Sequence, residues 1–181
     1  MTEKVVYLTF DDGPHPTITP WVIAELDKVG AKGTFFVVGE NAERYAQTIS
    51  DLQANGHEVA NHTQHHIKGW QSSKELYLKD VEECAKVIGS KRLFRPPYGQ
   101  INLGCMDELT GDYEVIMWDV LTKDYLKSLF VRRAQKRIQK ATRPGSIVVF
   151  HDSEKAEKNL KELLPEYVQF LKSEGYKMEV L

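Results

Sequence analysis

Short apolar segments alternate with helical patterns about seven times along the chain, and this alternation constrains the fold more than any other feature. Runs rich in β-branched and aromatic residues predict strands at 5–10, 34–38, 58–60, 93–94, 115–118, 147–150 and 177–180. Helical spacing of apolar residues predicts helices at 19–30, 40–55, 72–89, 128–141 and 154–174. Because parallel neighbours need a crossover between them, the alternation predicts a parallel sheet covered by helices.

The length of the chain selects among parallel architectures. A closed eight-fold barrel typically needs about 250 residues, and this chain has 181, of which 41% are hydrophobic. We therefore predict an α/β fold, a distorted or incomplete (β/α) barrel with about seven parallel strands. A doubly wound open sheet is the alternative. No linker, low-complexity tract or repeat divides the sequence, so residues 1–181 are predicted to form a single domain.

Local signals predict where individual helices begin and bend. Thr19 followed by Pro20 predicts that Thr19 is the N-cap of the first helix and that Pro20 is its first helical residue. Ser72 with Glu75 predicts a capping box at the start of the third helix. Pro165 predicts a kink or a break in the last helix, because proline removes a helical hydrogen bond.

Charge and hydropathy narrow the classes of partner and compartment. The chain has 24 basic and 26 acidic residues and a formal net charge of -2 without long runs of one sign, so we expect no nucleic-acid partner. No segment has membrane-spanning length and the N-terminus lacks the apolar core of a signal peptide, so we expect no membrane partner. As the chain stands we expect a cytoplasmic location, or a secreted one if an export signal was removed. Protein partners stay open.

The two cysteines do not form a recognisable site. Cys84 lies in a helical pattern and Cys105 in a segment flanked by glycine, and neither has a second cysteine at metal-ligand spacing. We predict two buried thiols.

The first predicted strand runs into two adjacent carboxylates in the stretch TFDDGP, where Asp11 and Asp12 precede Gly13 and Pro14. Side chains alternate along a strand, so the two carboxylates are expected to point in different directions from nearly the same place. They either cap backbone N–H groups of an Asp-Gly turn or perform two separate tasks at the end of the strand.

A histidine cluster follows the third predicted strand. Three of the six histidines lie within five residues, and His62 and His66 are four apart, which would put them on one face of a helix. Two imidazoles and one carboxylate fit Zn²⁺, and Co²⁺, Ni²⁺ or Fe²⁺ also fit. His65 is expected to point elsewhere.

Three further strands end in polar clusters. Phe94 is followed by RPPYG, which carries Arg95 and Tyr98 on a loop stiffened by prolines. The other two clusters follow Trp118 and Phe150, and their members are Asp119, Asp124, His151 and Asp152. Each cluster alone is consistent with a turn or a structural ion pair. Because the carboxyl ends of parallel strands share one edge, five such clusters predict one functional site.

These motifs, in this order, resemble those of the polysaccharide deacetylases of carbohydrate esterase family four, the NodB homology domain. The resemblance rests on TFDDGP, on the H-[ST]-x-x-H spacing of HTQHH from His62, on RPPYG, on the Asp-bearing segment after Trp118 and on the late Val149-Phe150-His151. It extends from Thr9 to His151. The resemblance implies one catalytic domain over 1–181 that hydrolyses acetyl groups from N-acetylglucosamine-containing glycans, of chitooligosaccharide or peptidoglycan type, with a divalent metal.

The resemblance also implies a role for each site residue. Asp12, His62 and His66 match the metal ligands, with Zn²⁺ as the expected ion. Asp11 matches the catalytic base and Arg95 the residue that holds it. The backbone N–H of Tyr98 matches the oxyanion donor, and His151 matches the acid that protonates the leaving nitrogen. Asp124 is the expected partner of His151, and Asp119 is the alternative.

Three positions depart from the family pattern. Leu121 replaces the usual upstream Asp, Tyr125 stands where Trp is usual, and Val149 replaces the usual Leu. These positions affect the acetyl pocket and its rim, so the departures concern the choice of substrate. The alternative functions are an O-acetyl esterase on xylan-like chains, a hydrolase of non-sugar amides, and a catalytically silent glycan-binding module.

Overall fold

The protein contains a curled, wholly parallel sheet of eight strands in a computed structural model that describes residues 3–181. The strands are β1 Val5–Asp11, β2 Thr34–Val37, β3 Glu58–Asn61, β4 Leu93–Phe94, β5 Glu114–Val115, β6 Val120–Leu121, β7 Ile147–His151 and β8 Lys177–Glu179. Their order is β5-β4-β3-β2-β1-β7-β6, and β8 pairs with the first half of β1. Within residues 3–181, β5 and β6 do not pair with each other.

This order is that of an incomplete barrel. From β1 the strands follow one another as far as β5 on one side, and β7 and β6 continue on the other. In a doubly wound sheet, by contrast, the strand numbers rise in both directions away from the first strand. The predicted fold class is therefore confirmed, and the open gap between β5 and β6 explains how 181 residues suffice.

Seven α-helices connect the strands within residues 3–181. They are α1 Ile18–Asp27, α2 Gly39–Arg44, α3 Ala46–Ala54, α4 Lys74–Ile88, α5 Met106–Asp112, α6 Val131–Ala141 and α7 Glu157–Ser173. Short 3₁₀ turns occupy Gly69–Gln71, Pro97–Gly99 and Leu103–Cys105. The prediction missed α5 and β6 because both are short, which makes their periodicity weak.

Several predicted helix boundaries are wrong by a few residues. The helix predicted at 40–55 is two helices, because Tyr45 leaves the helical conformation between them. Ser73, one residue after the predicted cap, accepts the N–H of Leu76 at the start of α4. Pro165 lies inside α7 without dividing it.

The start of α1 also differs from the prediction. The helix begins at Ile18, so Thr19 is its second residue and is not the cap. The hydroxyl of Thr19 donates a hydrogen bond to the carboxylate of Asp152 and accepts one from the N–H of His15 at 2.8 Å. A residue that resembles a local cap therefore ties the first helix to the last long strand.

The core of the barrel holds the central strands in a rigid arrangement. Phe10 of β1 stacks on Phe35 of β2 at 4.8 Å and on Phe150 of β7 at 5.8 Å between ring centroids. All three rings are fully buried. Close-packed aromatic layers of this kind resist displacement of the strands, so the residues that follow each strand are presented on a stiff frame.

Both cysteines are buried and unpaired, as predicted. Among the helices of the described part of the chain, none is long and apolar enough to cross a lipid bilayer.

Candidate active site

The carboxyl ends of the strands meet in a cleft of about 770 Å³. The register of the sheet places Asp11 directly beside Phe36 of β2 and His151 of β7, and Asn61 of β3 beside Phe94 of β4. The cleft is lined by most of the residues that the sequence predicts for the site, namely Asp11, Asp12, His62, His66, Tyr98 and His151. Arg95 and Asp124 lie beneath this layer and are fully buried.

Asp11 is held by a buried arginine. Its Oδ1 accepts a hydrogen bond of 2.7 Å from Nη1 of Arg95. The same nitrogen donates to the hydroxyl of Thr9 at 2.7 Å, while Nε and Nη2 donate to the carbonyls of Ile116 and Met117. A guanidinium fixed on several sides cannot swing away, so it fixes the position of the carboxylate.

The backbone at Asp12 separates the two carboxylates. Asp12 has φ 78°, a left-handed conformation that turns the chain sharply after the strand. The carboxylate of Asp152 accepts the N–H of Gly13 at 3.1 Å and fills the space where a side chain at 13 would begin, since a Cβ there would lie 2.2 Å from its Oδ2. Asn41 donates to the carbonyl of Asp12 at 2.9 Å. The turn therefore requires glycine at 13 and points Asp12 away from Arg95.

Asp12 faces both predicted histidines. Its Oδ1 lies 3.1 Å from Nε2 of His66 and 3.7 Å from Nε2 of His62. One ligand atom from each residue lies within 4.8 Å of the others, which is close enough for three ligands around one divalent ion with open positions left for water or substrate. The three residues therefore form a candidate metal centre.

The protonation states suit metal binding. Burial lowers the pKa of His62 to about 4, although the neighbouring charge of Asp11 opposes this. Burial would raise the pKa of Asp12, but the hydrogen bond with His66 and the charge of His151 hold it well below its ordinary value. At neutral pH His62 is neutral and Asp12 is ionised. Nδ1 of His62 is hydrogen-bonded to the carbonyl of Arg95 at 2.8 Å, which leaves the lone pair of Nε2 for a cation.

The histidine segment is a loop, so the helix that would place His62 and His66 on one face does not form. Thr63 and His66 both have positive φ, 67° and 54°. Asn61 supports this loop, because its Oδ1 accepts the N–H of Thr63 at 2.8 Å and its amide donates to the carbonyl of Val81 at 2.8 Å. The imidazoles therefore converge through tertiary support instead of helical spacing.

Asp80 of α4 provides the second anchor of the loop. One of its oxygens accepts the backbone N–H of His65 at 3.0 Å, and the other lies 2.6 Å from Nδ1 of the same residue. Its carbonyl accepts the N–H of Gln64 at 3.0 Å. His65 points away from the three ligands, as predicted. The carboxylate of Asp80 is almost fully buried, so its loss would leave buried donors unsatisfied.

We expect Asp80→Ala to weaken metal binding by about 10- to 100-fold, the usual cost of losing an outer-shell support. His65→Ala retains the backbone bond to Asp80 and should bind metal within a few-fold of the unchanged protein. Equilibrium titration with Zn²⁺ would measure both affinities. Glu83→Ala, which changes a neighbouring carboxylate on the same helix, is the control. Equal affinity in the Asp80 and Glu83 variants would contradict this role.

Tyr98 lies on the rim of the cleft beside the metal centre. Its φ is 59° within the 3₁₀ turn Pro97–Gly99. Its ring is 57% exposed and lies 4.7 Å from the ring of His66. Within residues 3–181 its backbone N–H has no hydrogen-bond acceptor. An unpaired N–H on a strained turn is suited to receive a negatively charged oxygen.

His151 is held on the opposite side of the cleft by Asp124. Oδ1 of Asp124 lies 2.7 Å from Nδ1 of His151, and Oδ2 accepts the backbone N–H of the same residue at 2.8 Å. Asn159 donates to the carbonyl of Asp124 at 2.6 Å. Asp119, the alternative partner, is exposed and instead accepts the N–H of Ile147 at 2.9 Å. The geometry therefore favours Asp124.

Two neighbouring groups at the carboxyl end of β7, His151 and Asp152, have strongly shifted pKa values. Burial would lower the pKa of His151, but the hydrogen bond and the charge of Asp124 raise it to about 9. Burial raises the pKa of Asp152 to about 7. His151 is therefore a cation at neutral pH, with Nδ1 engaged and Nε2 left for the substrate.

The three positions that depart from the family pattern all line the cleft: Leu121, Tyr125 and Val149. The ring of Tyr125 meets that of His151 edge-on at 5.0 Å. Trp70 is 71% exposed and is not among the cleft residues.

The sequence interpretation did not assign a role to Asp80, Asn61 or Asp152. Asp152 has a visible signal, because it follows His151 at a strand end. Asp80 has none, because an acidic residue within a helix is ordinarily solvated.

A family model described as polysaccharide deacetylase matches residues 1–110, which is more than half of the chain and includes Asp11, Asp12, His62, His66 and Arg95. The chain belongs to the polysaccharide deacetylase family. The predicted resemblance is thereby confirmed. Asp124 and His151 lie beyond the matched span, so their assignment rests on the geometry of the cleft.

Individual relatives extend the similarity over most of the chain. It is 30% identical over 182 residues to a peptidoglycan-N-acetylglucosamine deacetylase of Bacillus cereus, covering 97% of this chain and 85% of the relative. It is 31% identical over 157 residues to a chitooligosaccharide deacetylase of Azorhizobium caulinodans, covering 83% and 74%. Some relatives are longer, since the chain spans 38% and 56% of the length of two others.

Solved structures of the family share the whole fold. The crystal structure of the Bc1960 peptidoglycan N-acetylglucosamine deacetylase superposes with a TM-score of 0.92 at 25% identity, over 99% of this chain and 86% of that one. The partial barrel described above is therefore the polysaccharide deacetylase fold.

Proposed function

We propose that this deacetylase hydrolyses the acetamide of N-acetylglucosamine units in a poly- or oligosaccharide, of peptidoglycan or chitooligosaccharide type. One observation supports this above the others. A three-ligand metal centre, an ion-paired carboxylate and a protonated histidine with its own carboxylate surround one open cleft. Hydrolysis of an unactivated amide needs these groups together, whereas binding a sugar does not.

Asp12, His62 and His66 would hold the ion, and two histidines with one carboxylate suit Zn²⁺, with Co²⁺, Ni²⁺ or Fe²⁺ as alternatives. A divalent ion bound there supplies Lewis-acid polarisation of the acetyl carbonyl and acidification of water.

The chain's own residues perform the proton transfers. Asp11, fixed by Arg95, accepts the proton of the attacking water. The backbone N–H of Tyr98 donates to the oxygen that becomes negatively charged. His151 gives the proton on Nε2 to the departing nitrogen, and Asp124 keeps this imidazole charged and oriented.

Acetate release from a panel of substrates tests the proposal. The panel contains chitooligosaccharides, peptidoglycan glycan strands, acetylated xylan and a simple acetanilide, each assayed with and without added metal. We expect metal-dependent release from the two N-acetylglucosamine substrates. Release from acetylated xylan alone would indicate the esterase. No release from any substrate, with glycan binding retained, would indicate a silent binding module.

We expect Asp124→Asn to move the alkaline limb of the pH–rate profile to lower pH. The enzyme loses activity when His151 deprotonates. The asparagine side-chain amide in this variant cannot supply the negative charge of Asp124, which raises the pKa of His151 to about 9. A shift of roughly one pH unit or more is expected. Amide cleavage should suffer more than cleavage of an aryl acetate, whose leaving group needs no proton. The control is Asp119→Asn. If the alkaline limb moved in Asp119→Asn and stayed in place in Asp124→Asn, Asp119 would be the partner of His151 instead of Asp124.

A further inference from the structure

Helix α6 and its flanking residues form a strongly basic surface. Residues 125–151 contain no aspartate or glutamate. Seven basic residues lie in this segment, all exposed, and we call them the α6 basic surface: Lys127, Arg132, Arg133, Lys136, Arg137, Lys140 and Arg143. The near-neutral net charge of the chain therefore conceals a local concentration of positive charge, which the sequence prediction overlooked.

These cations are not neutralised within the protein. In residues 3–181, no carboxylate lies within 4.0 Å of any member of the α6 basic surface, whereas ten of the other seventeen lysines and arginines form ion pairs. The side chains of Arg137 and Arg143 donate to backbone carbonyls, which carry no formal charge. Unpaired charges of one sign on one face repel each other and raise the local concentration of anions.

A groove of about 440 Å³ lies between the first turns of α6 and α7. Its charged lining consists of Lys127, Arg132, Arg133, Lys158 and Glu162, four cations against one carboxylate. Phe130 also lines it, with a ring that is 71% exposed and has the guanidinium of Arg133 at 5.3 Å. The groove thus combines one flat apolar surface with an excess of positive charge.

The groove adjoins the catalytic cleft on the side of His151. Tyr125 and Lys155 line the cleft, while Lys127 and Lys158, two and three residues further along the chain, line the groove. The amine of Lys155 lies 5.5 Å from the centre of the Tyr125 ring. Asn159 of α7 donates to the carbonyls of Asp124 and Leu126 and fixes the loop between the two sites. A polymer held in the cleft can therefore continue into the groove.

We propose that the groove and the α6 basic surface bind the continuing chain of an acidic glycan, one that carries carboxylates on its N-acetylated sugars. This inference rests on the proposed function and names its substrate class. A neutral glycan has no charge for seven unpaired cations to complement. The carboxylates of an acidic strand supply that charge at regular intervals, and Phe130 offers a face for a sugar ring.

The surface is less suited to other anionic partners. Interfacial membrane helices bury an apolar face in the lipid, but the apolar residues of α6, such as Ala134 and Ile138, are buried in the protein core. Binding of single-stranded nucleic acid uses a series of stacking aromatics, whereas this groove has Phe130 alone.

The test uses Lys127→Glu/Arg132→Glu, which reverses two charges of the groove. Arg132 lies in the first turn of α6, where an acidic residue favours the helix. Lys86→Glu/Lys172→Glu is the matched control, with the same change in charge at two exposed lysines on α4 and α7. Binding is measured directly by fluorescence anisotropy with labelled glycan strands of alternating N-acetylglucosamine and N-acetylmuramic acid. Acetate release from these strands and from chitohexaose, which is neutral, is measured separately.

We expect the groove variant to bind the acidic strands at least about tenfold more weakly at low salt. The difference should vanish near 1 M salt, where the Debye length is about 3 Å. Its kcat/KM on chitohexaose should stay within about twofold of the unchanged protein, and the control should bind the strands normally.

Unaltered binding of the acidic strands by the groove variant, or an equal loss on chitohexaose, would overturn the proposal. So would binding of anionic phospholipid vesicles or single-stranded DNA that depends on these residues while glycan binding does not. Failure of the proposed function can be distinguished from failure of this inference. If the proposed function is wrong, no acetate is released from either substrate, whether or not the glycan strands bind.

Discussion

Replacement of His66 by alanine is expected to remove the metal and to reduce turnover to the background rate. His66 is one of the three proposed ligands, and its Nε2 lies 3.1 Å from Oδ1 of Asp12. Loss of a direct ligand should lower affinity by more than about 100-fold, beyond the cost of losing an outer-shell group. Metal content after dialysis, together with acetate release, measures both effects.

His65→Ala is the matched control for this ligand, because it removes the neighbouring imidazole, which faces Asp80 instead of Asp12. It should retain a full equivalent of metal. A full equivalent in His66→Ala would show that the ligand set is different. The fold should survive chelation, since the aromatic layer around Phe10 does not depend on the ion.

Replacement of Asp11 by asparagine is expected to lower kcat by about 10² or more while metal occupancy stays normal. Asparagine retains the shape of the aspartate side chain but lacks its basic oxygen. A fall in kcat of this size is expected when a general base is removed. Asp11 is not one of the three grouped possible ligands, Asp12, His62 and His66, and its carboxylate is directed to Arg95 at 2.7 Å. Arg95→Ala should reproduce part of the loss, because the carboxylate then lacks its anchor.

Steady-state kinetics and metal analysis on the same Asp11→Asn preparation distinguish the two carboxylates. Near-normal turnover in this variant, combined with lost turnover and retained metal in Asp12→Asn, would exchange the roles of base and ligand.

The two carboxylates of TFDDGP point to different partners from one strand end, as two separate tasks would require. Asp11 completes the strand and lies over Arg95, while Asp12 leaves it in a left-handed conformation and meets the histidines. Asp152 stabilises the turn between them by binding the N–H of Gly13. The alternation of side chains along a strand begins this separation, and the sharp turn completes it.

Much of the fold was predictable from the sequence because the relevant signals are local. Buried parallel strands are continuous apolar runs, so the strands at Val5, Thr34 and Ile147 were found within one residue of their observed ends. The short chain then favoured an incomplete barrel, which the strand order confirms. Boundaries were less predictable. Ser72 and Ser73 offer the same cap, and only the backbone that enters α4 selects between them.

The sequence by itself determined the family and the identity of the residues near each strand end, because every motif is a short segment at or close to the carboxyl end of a strand. The tertiary structure decided which of these residues meet. The histidine loop is held by Asp80, which lies 15 residues beyond His65. Asp124 pairs with His151, whereas Asp119 accepts the N–H of Ile147 at the start of β7. Such contacts join residues far apart in the chain, and their energy depends on burial and on hydrogen-bond partners that exist only after folding.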